Sequence, residues 1–172
     1  YKSWPYRKEL TKEYIRKLNA DILTLQEVNP NTFEEDFSFM REMRYDGIME
    51  KSNNKWMRCA IYFRRDKLAF VQVQHQAHRC FVVQLTLTHA CAPASPEGTK
   101  KTRTKAKQIQ AQPYIFVATC HLSAVGPDIR VRQLEEVLGR VEKMRQKAGI
   151  VKEDVALVLS GDFNTFVDRE DS

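Results

Sequence analysis

Near the C-terminus, Gly161-Asp162-Phe163-Asn164 sets a carboxylate and a carboxamide two residues apart. They follow Val155-Ala156-Leu157-Val158-Leu159, a continuous apolar run of the kind that a strand buried on both faces presents. The glycine predicts a tight turn where the strand breaks, so both side chains would project from a rigid strand end into one small volume. Gly-Asp and Asn are also ordinary turn residues, and a strand followed by a polar turn would read the same way. Two other stretches repeat the arrangement. Asp21-Ile22-Leu23-Thr24-Leu25 ends in Gln26-Glu27, and Tyr114-Ile115-Phe116-Val117-Ala118-Thr119 ends in Cys120-His121. Three strands would each deliver a reactive side chain at the C-terminal end: Glu27, His121, and Asp162 with Asn164. In open α/β sheets, ligands gather outside the carboxyl ends of the strands. Carboxylates, an amide and an imidazole converging there suit a hard divalent cation and an anionic substrate.

These strands need elements around them. Leu10, Tyr14, Ile15 and Leu18 lie near helical spacing and predict a helix from Arg7 to about Asn19, after a Trp4-Pro5 entry. Pro30-Asn31-Thr32 opens a second helix, with Asn31 and Glu34 at capping-box spacing and an inner face of Phe33, Phe37 and Met40. From Tyr45 to Val73 short strands alternate with turns. Ser52-Asn53-Asn54-Lys55 and Arg64-Arg65-Asp66-Lys67 are the turns, and Cys59 to Phe63 is a buried strand. Val83 to Thr88 alternates apolar and polar residues, as a half-exposed antiparallel strand does. After His121, a loop leads to a helix beginning near Asp128. Its buried stripe would be Leu134, Val137, Leu138, Val141 and Met144, and Gly149 its C-cap. The alternation of helices and strands predicts a layered α/β sandwich with mixed sheets.

A chain of 172 residues, 42% hydrophobic and 29% charged, fits one globular domain with a substantial core. No apolar run approaches the length of a membrane span, so no membrane partner is expected. Lys and Arg total 28 against 22 Asp and Glu, and the resulting +6 favours polyanionic partners such as nucleic acid. Residues 90–113 are basic and poor in apolar side chains, and they read as an insertion between two paired strands. They would be either a basic arm for phosphates or a solvated loop. Cys59, Cys80, Cys91 and Cys120 have no Cys-x-x-Cys spacing and read as small buried residues of a reducing, intracellular compartment, cytoplasm or nucleus. A zinc site from His75, His78, Cys80, His89 and Cys91 fits no standard ligand frame.

Leu25-Gln26-Glu27-Val28, Thr119-Cys120-His121-Leu122 and Ser160-Gly161-Asp162-Phe163-Asn164, in this order, resemble the endonuclease/exonuclease/phosphatase superfamily of DNase I-like fold. Trp4-Pro5-Tyr6-Arg7, Cys59-Ala60-Ile61-Tyr62-Phe63-Arg64-Arg65 and Arg130-Val131-Arg132-Gln133-Leu134 are most similar to its CCR4-type deadenylase and nocturnin branch. The resemblance runs from about Trp4 to Phe166. It implies metal-assisted phosphodiester hydrolysis, with Glu27 as ligand to Mg²⁺ (or Mn²⁺ in its place). Asp162 would orient or deprotonate the attacking water, and Asn164 would hold the phosphate or that water. His121 would contact the scissile phosphate. In this branch the substrate would be the adenylate 3′ tail of single-stranded RNA, removed as 5′-AMP. Trp4, Tyr6 and Trp56 are candidates for base stacking, with core packing the competing role.

Two parts of the family pattern are missing. Family members open with a strand bearing an active-site asparagine and close with an aspartate-histidine pair. The chain starts at Tyr1 and stops at Ser172 without either, so it is expected to be a single domain over residues 1–172, truncated at both ends. That counts against activity of the chain alone. Two alternatives stay open: a relative acting on DNA or on a small phosphoester such as an inositol phosphate or dinucleotide, and a non-catalytic nucleic-acid-binding module.

Overall fold

The computed structural model describes residues 3–51, 57–75, 80–88 and 113–165. Within them two β-sheets pack face to face, with helices on both outer sides. In chain order the elements are α1 (Trp4–Leu18), β1 (Ile22–Val28), α2 (Phe33–Asp36), α3 (Phe39–Glu42), β2 (Tyr45–Met49) and β3 (Arg58–Arg64). Then come β4 (Leu68–His75), β5 (Cys80–Leu87), β6 (Tyr114–His121), α4 (Pro127–Lys147) and β7 (Val155–Asp162). The first sheet has the order β1-β3-β2 and is antiparallel throughout. The second has the order β4-β5-β6-β7; only β6 and β7 run parallel, with α4 as the crossover between them.

Alternation along the central strands builds the layers. Cys59, Ile61 and Phe63 of β3 point between the sheets and meet Phe81, Val83 and Leu85 of β5 and Val117 of β6. The opposite face of β3, Ala60 and Tyr62, packs under the first helices with Ile15, Phe33, Phe39 and Met40. Gly47 lies directly opposite Tyr62, and a Cβ there would sit 2.2 Å from the ring, so the glycine lets the aromatic lie flat over its neighbour strand. On the far side, Val137, Val141 and Met144 of α4 cover Cys80, Val82, Phe116 and Ala118.

The elements match the sequence expectation in type and differ in several particulars. Helix α1 starts at Trp4, with Pro5 in its first turn, where a missing N–H costs nothing, and Asn19 closes it in a left-handed conformation. Of its expected core residues only Ile15 is buried; Tyr6, Leu10, Tyr14 and Leu18 form an i, i+4 stripe that is 45–64% exposed. The periodicity was real, but the covered face of the helix is the other one. The capping box at Asn31 and Glu34 does not form. Thr32 precedes the helix instead, and its hydroxyl bonds the Asp36 carboxylate, which also accepts from the Trp4 indole. That shared carboxylate ties the segment to α1 and limits it to two single turns, while Phe33 and Met40 are buried as expected.

Strand β5 is buried on both faces, not half-exposed, because it lies between two sheet neighbours with α4 above and the other sheet below. Strand β7 shows the reverse. Among the described residues it is the outer strand of its sheet, and Leu157 and Val158 are 42% and 39% exposed. In α4, Leu138 is exposed rather than part of the stripe, and Gly149, at φ +66, follows the capping Ala148. The predicted turn at Ser52–Lys55, the basic insertion 90–113 except Pro113, and His78, His89 and Cys91 lie outside the described residues.

Candidate active site

The three sequence motifs reach one end of the sandwich by two different routes. Strands β6 and β7 are parallel and in register, Thr119 opposite Ser160, Cys120 opposite Gly161 and His121 opposite Asp162. Their motifs are therefore side by side as a direct result of pairing. Strand β1 belongs to the other sheet and is held against this end by side chains. Thr24 Oγ1 lies 2.9 Å from Ser160 Oγ, and Gln26 Nε2 donates to Thr119 Oγ1 at 3.2 Å. Gln26 immediately precedes Glu27, and Thr119 lies two residues before His121. The reasoning from open parallel sheets thus applies to β6 and β7, while β1 arrives across the sandwich.

Strand β7 does not break at its glycine; it continues to Asp162. Gly161 adopts φ +145, and a Cβ there would lie 1.9 Å from the Cys120 carbonyl oxygen. Only glycine permits the close approach that sets Asp162 beside His121. The Cys120 backbone is thus a wall of the site, and its sulfur lies buried behind that wall against Cys80, the residue opposite on β5. The hydrogen bond to Cys120 and burial hold the Cys80 thiol well above the usual thiol range. Cys59, Cys80 and Cys120 are buried thiols of the core.

Asp162 divides its carboxylate between two tasks. Oδ1 accepts the Asn164 backbone N–H at 2.9 Å, and Oδ2 lies 3.7 Å from His121 Nε2, within ion-pair range and beyond hydrogen-bond range. The imidazole is 11% exposed and the carboxylate 52%, so one partner is fixed in the wall while the other meets solvent. Asn164, left-handed at φ +47, gives an Nδ2 hydrogen to the Leu122 carbonyl at 2.7 Å. The Leu122 N–H in turn donates to the Asp162 carbonyl at 2.8 Å. Part of Asn164 therefore serves as a clamp between the two strand ends. Among the described residues its Oδ1 and second amide hydrogen have no partner, which leaves them open to a ligand.

Glu27 stands at a bulge in the β1–β3 pairing, in a left-handed conformation at φ +58, and is exposed. Its carboxylate has no hydrogen bond or ion pair among the described residues. A non-glycine residue held there is a strained feature of the kind that clusters at functional sites. Beyond the bulge, Val28 pairs with Arg58, whose Nη1 donates to the Glu50 carbonyl at 3.3 Å. Glu50 is 1% exposed, and sequence reading did not single out either residue. The signal available was a charged residue at each inner end of an apolar strand, Met49-Glu50 and Arg58-Cys59.

Among the described residues, no three His, Cys, Asp or Glu side chains cluster tightly enough to cage a metal. Mg²⁺ needs no such cage, since it binds through one or two carboxylates and keeps several waters, and Glu27, exposed and unpaired among the described residues, has the donor chemistry for it. Trp4 is bound to Asp36 and packs edge-on against Phe37, so it is structural, whereas Tyr6 is exposed; Trp56 lies outside the described residues. No helix among the described residues is long and apolar enough to cross a membrane.

The whole chain, residues 1–172, matches the sequence model of the Endonuclease/Exonuclease/phosphatase family. It is 26% identical over 192 residues to Carbon catabolite repressor protein 4 homolog 1 of Arabidopsis thaliana, covering 95% of this chain and 31% of that protein. Over 80 residues it is 34% identical to the CCR4-Not complex 3′-5′-exoribonuclease subunit Ccr4 of Saccharomyces cerevisiae, 40% of this chain and 10% of that one. The chain spans about a third of the length of the first of these relatives. Among solved structures, it superposes on ANGEL2, a 2′,3′-cyclic phosphatase, with a TM-score of 0.70 at 22% identity, covering 95% of this chain and 45% of the other. The human Nocturnin catalytic domain with bound sulfate gives a TM-score of 0.64 at 21% identity, covering 95% and 58%. These two likenesses establish the DNase I-like fold.

Proposed function

This chain belongs to the endonuclease/exonuclease/phosphatase family, in its CCR4 and nocturnin branch, and from that premise we propose a Mg²⁺-dependent 3′-5′ exoribonuclease that shortens adenylate tails of RNA. The coarser reading, a hydrolase with the nuclease and phosphatase fold, rests on the family itself. One observation carries the finer one: His121 and Asp162 in register, 3.7 Å apart, at a strand end that also receives β1 and its exposed Glu27. The exoribonuclease activity named for the yeast relative supports RNA as substrate. Residues 1–172 act in this proposal as one domain, with 90–113 as an insertion. The buried free cysteines suit a reducing compartment.

The roles follow from exposure and partners. Asp162 Oδ2 meets solvent and has no hydrogen-bond partner among the described residues, so it is the atom that can accept a proton from a water aligned for attack on phosphorus. Asp162 Oδ1, held by the Asn164 N–H, fixes the direction in which Oδ2 points. His121, nearly buried, presents Nε2 toward the same space. As an imidazolium it donates to a non-bridging phosphate oxygen whose charge grows in the transition state. Asn164 adds a second donor from its spare amide hydrogen. Glu27 would hold Mg²⁺, which when bound neutralises developing phosphoryl charge and contributes several kcal/mol to lowering the barrier.

The test is hydrolysis of a 5′-labelled RNA ending in an adenylate tail by the purified protein, in Mg²⁺ and in EDTA. Metal-dependent shortening from the 3′ end, lost in Glu27→Gln and Asp162→Asn with the melting temperature kept, is the expected result. Turnover of duplex DNA or of 2′,3′-cyclic AMP with the RNA left intact would replace RNA tails with the other substrate class. Tight RNA binding without turnover of any of the three would make this a binding module.

A further inference from the structure

The outer face of the second sheet changes chemistry from one edge to the other. Under α4 it is apolar, with Cys80, Val82, Phe116 and Ala118 packed on the helix. Toward β4 it becomes a patch of amides. Gln84 of β5, 1% exposed, accepts from Gln72 Nε2 at 2.5 Å, and Gln74 follows on β4. A sheet face built to be covered by an apolar element would not present this surface, because each amide sealed away from water needs a partner. Helix α4 stops short of it and leaves a groove of about 670 Å³ between its flank and β4.

The helical wall of the groove carries Arg132, Arg140, Lys143 and Lys147 against Glu135 and Glu136. Among the described residues none of the four cations is in a salt bridge, whereas Arg145 is bound through two nitrogens to Glu142. At a rise of about 1.5 Å per residue, Arg132 to Lys147 spans roughly 22 Å, which sets the cations out as a row rather than a point. A row of cations beside an amide floor matches a chain of phosphates carrying bases that can hydrogen-bond. The Arg132 end of the groove is the end from which the chain leads back to the strand-end site. Helix α4 begins at Pro127, six residues after His121, and Arg132 lies little more than one turn into it.

We infer that the α4–β4 groove binds the phosphate backbone of single-stranded RNA and carries the part of the strand that extends away from the strand ends. The choice of ligand rests on the phosphodiester reading of that site, but the binding itself can be measured without catalysis. Fluorescence anisotropy of a labelled 20-nucleotide oligoadenylate and of a labelled trinucleotide, in EDTA and at several salt concentrations, reads it on the full chain. In Arg140→Glu/Lys143→Glu the 20-mer affinity should fall at least tenfold relative to the trinucleotide, with the melting temperature kept. In the milder Arg140→Gln/Lys143→Gln the slope of log affinity against log salt should shrink by about 1.4, from two lost contacts. The charge-matched Lys12→Glu/Arg16→Glu on α1 should lose much less. Wild-type affinity in both groove variants, or an equal loss in the α1 variant, would overturn the groove. Trinucleotide hydrolysis by the unmodified chain, run in parallel, reports separately on the strand-end reading.

Discussion

Strands β5 and β7 flank β6 on its two sides, and they divide stability and chemistry between them. β5 pairs antiparallel with β4 and β6, and all its residues from Cys80 to Leu85 are buried, yet it offers nothing to the strand-end site. Among the described residues β7 pairs with β6 alone, leaves Leu157 and Val158 partly in solvent, and carries Asp162. The other outer strand among them that carries a candidate site residue is β1. The interior strands supply the packing that fixes β6 and, with it, His121. The candidate site thus stands where outer strands meet a core that the inner strands dominate.

The largest expected effect lies in β5. Phe81→Ala in β5 removes a fully buried ring between the two sheets, and urea unfolding should show a loss of about 3–5 kcal/mol. A loss below about 1 kcal/mol would mean that β5 is not the stabilising neighbour. Gly161→Ala tests the one place where β7 is as tightly constrained as β5. Its Cβ would collide with the Cys120 carbonyl, so we expect about 3 kcal/mol of destabilisation or displacement of Asp162 from His121, read by unfolding and by turnover together.

Thr24→Val should cost about 1 kcal/mol by removing the hydroxyl contact to Ser160 that holds β1 across the sandwich. Turnover should drop more than that loss of stability explains, since Glu27 rides on β1; equal drops would make the contact merely structural. Leu157→Ala, at a partly exposed position, should lower stability by about 1 kcal/mol or less in the same unfolding assay. A loss matching Phe81→Ala would erase the distinction between the strands.

The smallest expected effect lies at the turn between β3 and β4. Arg64 binds Asp66 through Nε and Nη2 at 2.9 and 2.8 Å and pulls its carboxyl down to about 2. The folded value is below the unfolded value of about 3.9, so this contribution is present above pH 4 and is lost as pH falls toward 2. Stability measured across that window should decline less in Asp66→Asn than in the unmodified chain. Parallel curves would show that the half-buried pair contributes nothing.

Much of the candidate site's placement was legible because it is local. Each of Glu27, His121 and Asp162 terminates a run of apolar residues, and such a run ending in a polar residue marks a strand end wherever the strand lies. Gly161 was readable as a backbone requirement, although its reason is the carbonyl of Cys120 rather than a turn. The bridges from Thr24 to Ser160 and from Gln26 to Thr119 were not readable, because each joins residues far apart in the chain whose hydroxyls and amides are unremarkable alone. Asn164 was found for its amide, but its bond to Leu122 depends on how the two strand ends meet.

Local patterning marks the long helices and the strands, the polar residues near strand ends, and the family to which they belong. Those properties follow from periodicity, backbone preference and residue type, all of which act over a few neighbours. Only the tertiary structure decided which apolar face would be covered. Tyr6, Leu10, Tyr14 and Leu18 keep helical spacing yet face outward, and Val155 to Leu159 reads as a central strand yet has a strand neighbour on one side only among the described residues. Apolar patterning states what a segment can bury; whether it does so depends on which neighbours the rest of the chain brings to it.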